Sequence, residues 1–149
     1  MSYEIEELNE NGNDSRDAVY TMLREHNHQS NGEFWESLSQ EENQRSPIEL
    51  IAYDETREVV GGLFGSTQFQ WLKVDVMAVI KASRETGIGS ALLEAAEAIA
   101  RERGCRRVYV DTMSYQAPEF YKKVGYTVVG ELEDWDTTGH SKFFLVKSL

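Results

Sequence analysis

The fold of this chain is decided by one stretch of residues, Val79-Ile80-Lys81-Ala82-Ser83-Arg84-Glu85-Thr86-Gly87-Ile88-Gly89-Ser90-Ala91-Leu92-Leu93. It leaves an apolar run, passes two glycines and enters a segment with helical apolar spacing, which predicts a strand, a turn and a helix. Glycine lets the backbone approach a ligand closely, and free N–H groups at the N-terminus of a helix bind an anion. The turn therefore suits a pyrophosphate. The alternative is that the glycines only ease a tight turn.

The spacing of the glycines separates this turn from two common phosphate-binding turns. No Gly-Lys-Ser/Thr follows, which excludes a Walker A loop. Leu92 stands where the third glycine of GxGxxG would be, which excludes the dinucleotide fingerprint. Both absences count against a fold that binds ATP or NAD at this turn.

The residues before the turn, Trp71 to Ile80, form the longest β-rich run of the chain. The even positions of this run, from Leu72 to Ile80, are all apolar, whereas its odd positions are mixed. This alternation predicts a strand whose even face lies on a core and whose odd face lines something else.

The residues after the turn, Ile88 to Arg103, form the clearest predicted helix, and Gly104 is expected to end it. One stripe of this helix is apolar and consists of Ile88, Leu92, Ala95, Ala96 and Ile99. A second stripe is charged and consists of Glu94, Glu97 and Arg101. Glu97 and Arg101 have the spacing of a favourable ion pair.

Patterns on either side of this centre predict the remaining elements. Strands are expected at 3–8, 48–53, 59–65, 107–111, 126–131 and 141–146, and helices at 14–28, 34–38 and 117–124. Alternation of strands and helices after an antiparallel start predicts a mixed α/β sheet. The length of 149 residues fits a single domain over 1–149.

The composition limits the classes of function. The chain has 26 acidic and 15 basic residues and a net charge of −11. This balance argues against binding to nucleic acid, which needs clustered Lys and Arg. It fits cationic small molecules or basic peptides as partners, and it also fits adaptation to high salt.

The same sequence predicts a cytoplasmic protein without a membrane partner. No apolar run approaches the about 20 residues of a membrane span, and the acidic start of the chain is not a secretory signal. The single cysteine, Cys105, excludes an internal disulfide and a multi-cysteine metal cluster. We expect it to be a small buried residue near the start of a strand.

Three segments together resemble the GNAT N-acetyltransferase superfamily. Arg84-Glu85-Thr86-Gly87-Ile88-Gly89 is similar to its (Arg/Gln)-x-x-Gly-x-Gly/Ala signature. Met77-Ala78-Val79 looks like its fourth strand, and Ala117-x-x-x-Tyr121-x-x-x-Gly125-Tyr126 looks like its Ala…Tyr-x-x-x-Gly-Phe/Tyr segment. The resemblance implies a single α/β domain with a mixed, mostly antiparallel sheet of about six or seven strands flanked by about four helices.

The resemblance also implies acetyl-CoA as co-substrate, without a metal. The backbone of Glu85 to Ser90 would meet the pyrophosphate, and Met77 to Val79 would pair with the pantetheine arm like an added strand. A backbone N–H near Met77 or Ala78 would polarise the thioester carbonyl. The predicted cofactor-binding residues are Met77, Ala78, Val79, Arg84, Glu85, Thr86, Gly87, Ile88, Gly89, Ser90 and Ser114.

Two positions depart from the family pattern. Glu85 stands where many relatives have glycine, and because a carboxylate would repel a pyrophosphate, its side chain is expected to point outward. Ser114 stands where many relatives have asparagine, seven residues before the tyrosine.

Tyr121 and Asp75 are the predicted catalytic residues. Tyr121 matches the tyrosine that protonates the departing thiolate in the family, and the alternative is packing on Phe120 and Tyr126. Asp75 would deprotonate the acceptor amine directly or through water, orient a cationic acceptor, or form only an ion pair with Lys73. Asp111 and His140 are weaker candidates for the base.

The predicted reaction is transfer of an acetyl group to a primary amine by direct attack in a ternary complex. A non-catalytic acyl-CoA-binding module on the same fold is the alternative. The acceptor would be a small-molecule or peptide amine, cationic in character, and a homodimer is one assembly that the resemblance allows. Possible walls of its pocket are Phe34, Trp35, Trp71 and Trp135.

Overall fold

The structure is a computed structural model that describes residues 3–8 and 14–149. The chain divides into two compact units, Met1–Gln40 and Glu41–Leu149. Within the described residues, no helix has the length and apolar character needed to cross a membrane.

The described part of the first unit contains two helices, α1 (Asp14–Ser30) and α2 (Gly32–Leu38), and both confirm predicted helices. Residues 3–8 are exposed and have no regular secondary structure, so the prediction of a strand there was wrong. The alternation of that segment stops after Ile5, and Glu4, Glu6 and Glu7 leave it without an apolar face that a sheet could bury.

The second unit is built on a six-stranded sheet in the order β1-β2-β3-β4-β6-β5. The strands are β1 (Ser46–Tyr53), β2 (Val59–Gln68), β3 (Trp71–Val79), β4 (Arg107–Met113), β5 (Thr127–Leu132) and β6 (Lys142–Ser148). Among the described strands, β3 and β4 pair in parallel and the other neighbours pair antiparallel. The predicted mixed, mostly antiparallel sheet is therefore confirmed.

Two further helices, α3 (Ile88–Glu102) and α4 (Pro118–Lys123), belong to this unit. Helix α3 packs across β1, β2 and β3. It ends before Gly104, whose φ of 80° lies in the left-handed region that glycine adopts without penalty.

The core lies between α3, α4 and one face of the sheet. Its fully buried side chains include Leu63, Leu72, Leu93 and Leu145, which come from β2, β3, α3 and β6. Cys105 is 5% exposed within this core and precedes β4, as predicted. The elements that frame the candidate site therefore share one packed core.

Candidate active site

Strand β3 changes its buried face in the middle. Phe64 pairs with Val76 and Gly65 pairs with Val74, which makes Asp75 an extra residue, that is, a β-bulge. The prediction that every even position of this run lies on the core was wrong beyond this point.

The exposures of the side chains follow the bulge. Leu72 and Val74 are 0% and 2% exposed, whereas Val76 is 52% exposed. Met77 and Val79 pack against the core instead. One extra residue reverses the faces of a strand because successive side chains point to opposite sides.

The bulge coincides with an opening between β3 and β4. The parallel ladder joins Trp71–Val74 to Arg107–Val110 and extends no further among the described residues. Past the bulge, β3 remains paired with β2 alone, so one edge of the segment Val76–Val79 is open.

Hydrogen bonding to β2 decides which backbone groups face this opening. The Ile80 N–H donates to the Val60 carbonyl at 2.9 Å. Because bonded and non-bonded pairs alternate in an antiparallel ladder, the backbone of Ala78 also points to β2. The N–H and C=O groups of Met77 and Val79 therefore point into the opening.

The glycine turn follows directly on this open edge. A 3₁₀ turn, Lys81–Ser83, leads into it, and the Thr86 hydroxyl donates to the Ser83 carbonyl at 2.6 Å. Glu85 and Gly87 have φ angles of 64° and 90° in the left-handed region. Glu85 is exposed. That its carboxylate points away from the pyrophosphate stays a prediction.

The N-terminus of α3 opens onto the turn. Gly87 occupies the N-cap position, and no side chain of the described residues caps the helix there. The first bond along the helix runs from the Ala91 N–H to the Gly87 carbonyl at 2.9 Å. The N–H groups of Ile88, Gly89 and Ser90 precede it, and this is the arrangement that binds an anion.

Gly89 has a packing role that the sequence did not reveal. A Cβ atom placed on it would lie 3.2 Å from the Phe120 ring and 3.9 Å from a methyl group of Val79. β3, α3 and α4 therefore converge at this glycine, and a side chain there would press on the Phe120 ring.

Tyr121 lies on α4, next to Phe120. Its side chain is 5% exposed and makes edge-to-face contacts with Phe120 and Tyr126, at centroid distances of 5.3 and 5.5 Å. Burial, and after it the negative charge of Asp111, raises the pKa of Tyr121 to about 12. The hydroxyl is therefore protonated at neutral pH.

The carboxylate of Asp75 lies between two cations. Its Oδ1 is 2.8 Å from Lys73 Nζ, and its Oδ2 is 3.5 Å from an Arg45 guanidinium nitrogen. The ion pair with Lys73 considered above is thus present. The side chain remains 31% exposed, so solvent or a substrate has access to it.

The weaker candidates also have partners. Asp111 binds Lys142 Nζ at 3.1 Å and accepts a hydrogen bond from the Tyr109 hydroxyl at 3.0 Å. His140 Nδ1 lies 3.4 Å from the Ser114 hydroxyl oxygen, which also accepts from the Ser141 N–H at 3.2 Å. Ser114 therefore ties β4 to the loop before β6.

The sequence did not identify the environment of Glu97. Its side chain is 3% exposed, and its carboxylate contacts Lys147, Tyr126 and Arg101. The pair with Arg101 is present at 3.6 Å, but Glu97 is not on a solvated face. The sequence carried one signal of this burial: Glu97 lies four residues after Leu93, which is buried on the same face of the helix.

The aromatic residues proposed as pocket walls differ in environment. Trp71 is 39% exposed under the Arg107 guanidinium, 5.6 Å away, and Trp135 is 53% exposed with Lys142 Nζ at 4.7 Å. Trp35 stacks on His28 at 4.3 Å in the first unit. Their part in an acceptor pocket stays a prediction.

Comparisons with known proteins agree with this geometry. The model of the acetyltransferase (GNAT) family matches residues 14–126. Blasticidin-S acetyltransferase of Streptomyces morookaense is 42% identical over 107 residues, which cover 69% of this chain and 78% of that protein.

Solved structures show the same fold. The structure of an acetyltransferase from Bacillus cereus ATCC 14579 is 34% identical, has a TM-score of 0.75, and covers 96% of this chain and 98% of that chain. Aminoglycoside 6'-N-acetyltransferase complexed with coenzyme A, at 21% identity and a TM-score of 0.61, shares the fold over 78% of this chain and 77% of that chain. The chain belongs to the acetyltransferase (GNAT) family.

Proposed function

We propose that this protein is an N-acetyltransferase that moves the acetyl group of acetyl-CoA to a primary amine by direct attack in a ternary complex. The observation that carries the proposal is the open edge of β3, which runs straight into the glycine turn. An extended chain that ends in a diphosphate needs these two features in this order.

The residues present fit acetyl-CoA. The Val79 N–H and the carbonyl groups of Met77 and Val79 would pair with the pantetheine amides, as an added strand does. The backbone from Arg84 to Ser90 would hold the pyrophosphate at the start of α3. The Arg84 side chain, which donates to the Val79 carbonyl at 3.2 Å, joins the two parts of the site.

The reaction forms one C–N bond and breaks one C–S bond. When bound, acetyl-CoA supplies the activated acyl group. The Met77 N–H would stabilise negative charge that develops on the carbonyl oxygen, because it points into the opening and has no ladder partner there among the described residues. The amine loses one proton, and the sulfur gains one.

Tyr121 would give the sulfur its proton. The raised pKa keeps the hydroxyl protonated at neutral pH, and α4 meets the end of β3 at Gly89. Packing against Phe120 and Tyr126 does not exclude this role, since a fixed ring also fixes the direction of its hydroxyl.

Asp75 would act on the acceptor amine. Asp75 is the extra residue of the bulge and lies two residues before Met77, next to the start of the open edge. Because Lys73 and Arg45 occupy its oxygens, we propose that it orients the ammonium group and accepts the proton through water. A cationic acceptor also suits the net charge of −11.

The proposed acceptor is a small-molecule or peptide amine with positive charge. The relative at 42% identity is named for blasticidin S, and such a compound belongs in the first panel of substrates. Polyamines, amino sugars, amino acids and short basic peptides complete that panel.

The deciding experiment measures free thiol released from acetyl-CoA with each amine of the panel. We expect turnover with at least one amine, and loss of at least about tenfold in kcat for Tyr121→Phe with acetyl-CoA affinity unchanged. Tyr53→Phe is the matched control, because this tyrosine lies on β1 beneath Arg57. Stoichiometric acetyl-CoA binding without turnover across the panel would identify a binding module instead.

A further inference from the structure

A buried cluster of charge lies beneath the candidate site and is not used by the reaction. Glu97 Oε1 and Oε2 lie 2.9 and 2.8 Å from Lys147 Nζ, and the Tyr126 hydroxyl donates to Oε1 at 3.1 Å. Glu97 comes from α3, Lys147 from β6, and Tyr126 follows α4. The cluster therefore joins three elements at one carboxylate.

Helix α4 and the residues that follow it are consequently fixed to α3 at two places. Phe120 packs at Gly89, where a Cβ would come within 3.2 Å of its ring. Tyr126 bonds to Glu97, two turns further along α3. Tyr121 lies between these two attachments in sequence.

The second attachment acts directly on Tyr121. The Tyr126 ring packs against the Tyr121 ring at 5.5 Å, and the Tyr126 N–H donates to the Tyr121 carbonyl at 3.0 Å. A shift of Tyr126 must therefore move Tyr121, whereas the glycine turn at the other end of α3 is not touched.

We infer that Glu97 and Tyr126 are positioning residues, and that their hydrogen bond, held by Lys147, sets where the Tyr121 ring lies relative to the glycine turn. The inference rests on the proposed function for its effect on catalysis. Its geometric part, the position of the Tyr121 ring, does not depend on the proposed function. The family pattern described above allows phenylalanine at position 126, so the hydroxyl of Tyr126 is a feature that can be removed without loss of the ring.

The main test is Tyr126→Phe in the intact chain. We expect kcat to fall about tenfold, because a small displacement of a reacting group is costly, with acetyl-CoA affinity unchanged. Ile48→Val is the stability control, since Ile48 is 2% exposed and lies on β1, which is not part of the Glu97–Tyr126–Lys147 cluster. A fall in kcat of the same size in Ile48→Val at equal loss of melting temperature would overturn the inference.

A double substitution separates positioning from a general loss of structure. In the Tyr121→Phe background, Tyr126→Phe should change kcat less than about twofold, because the hydroxyl that it positions is already absent. The same tenfold loss in both backgrounds would contradict the inference. Glu97→Gln keeps an acceptor for Tyr126 but loses the charge that faces Lys147, so it should lower the melting temperature and reduce kcat less than Tyr126→Phe does.

Nuclear magnetic resonance tests the geometric part without any turnover. With ¹³C-labelled tyrosine rings, the Tyr121 signal is identified by its loss in Tyr121→Phe. We expect this signal to shift or broaden in Tyr126→Phe and to keep its position in Ile48→Val; an unchanged signal in Tyr126→Phe would overturn the inference. Normal kcat in Tyr121→Phe together with a shifted signal would refute only the proton-donor role in the proposed function.

Discussion

The two halves of β3 are similar in sequence and different in what they can do. The paired half, Trp71–Val74, has a strand on each side, whereas the open half, Val76–Val79, has β2 on one side only. Both are rich in apolar residues that favour strands. Asp75 separates them as the extra residue of the bulge.

The difference teaches that binding capacity here comes from a missing partner. In the paired half, the sheet satisfies the backbone on both edges. In the open half, the backbone groups of Met77 and Val79 face an opening, where an extended ligand can complete the ladder. The proposed binding site therefore depends on register, and not on an unusual residue type.

The largest effects on stability and activity should come from two proline substitutions at neighbouring residues of the open half, Met77 and Ala78. Ala78→Pro removes an N–H that belongs to the β2 ladder, and we expect a loss of about 3 kcal/mol or more in the free energy of unfolding. Met77→Pro removes an N–H that faces the opening, together with a side chain that packs on the core. Relative to Met77→Ala, which also removes that packing, it should lose little further stability and lose about 10²–10³-fold in kcat. Urea titration and thiol release on these variants measure the contrast.

The preceding residues make this pair a matched one. Val76 and Met77 are already extended, which is the conformation that a following proline requires. If Met77→Pro destabilises the protein beyond Met77→Ala by as much as Ala78→Pro does, the Met77 N–H also belongs to a ladder, and the open half would lose its distinction.

The next largest effect should come from removing the space that the bulge needs. Gly65 lies opposite Val74, and a Cβ on it would overlap the Lys73 carbonyl. We expect Gly65→Ala to cost about 1–3 kcal/mol and to weaken acetyl-CoA binding, because relief of the overlap must shift the paired half. Thermal melting and calorimetry with acetyl-CoA would measure the two losses.

Gly130→Ala on β5 is the control for this substitution. Its Cβ would lie 3.6 Å from the Phe144 ring, which is an ordinary contact. We expect no loss of stability from Gly130→Ala, and a similar loss at both glycines would contradict a specific role of Gly65 at the bulge.

The sequence predicted the elements of the second unit well because each has a local signal. Apolar periodicity located α3, and alternation located β3 as a strand to within one residue. The position of the bulge could not be read in the same way, because it depends on the register of β3 with β2. A glycine opposite the bulge, Gly65, is the trace it leaves in the sequence, and glycines occur in strands for several reasons.

The structural environments of residues were predictable in proportion to how local their contacts are. The turn from Arg84 to Gly89 was found from contiguous residues. Glu97 was placed on a charged stripe because its partners, Tyr126 and Lys147, lie 29 and 50 residues away in the chain. Contacts of that separation are fixed by packing and not by any local pattern.

A smaller effect should come from the residue that divides the two halves. Asp75→Asn keeps the size of the side chain but weakens its pairing with Lys73 and Arg45 and its capacity to accept a proton. We expect kcat/KM for the acceptor to fall about tenfold, which is about 1.4 kcal/mol, with acetyl-CoA affinity unchanged. Full activity at every pH would leave Asp75 with the ion pairs alone.

The smallest effect concerns the tyrosine that shares a core with the open half. Met77, Val79 and Tyr121 belong to one packed cluster, in which burial and the charge of Asp111 raise the pKa of Tyr121 to about 12. In the unfolded chain a tyrosine has a pKa of about 10, so above that pH unfolding releases a proton that the folded state retains. Stability that is fully present below pH 10 is thus lost as the pH rises towards 12.

Between pH 9 and pH 11, we expect the free energy of unfolding of Tyr121→Phe to fall by about 1 kcal/mol less than that of the unsubstituted protein. Urea titrations of both proteins at the two pH values measure this difference, because the contribution of Tyr109, whose pKa is also raised to about 12, is common to both. Equal losses would mean that the Tyr121 hydroxyl is solvated in the folded state, which would contradict its burial beside the open half.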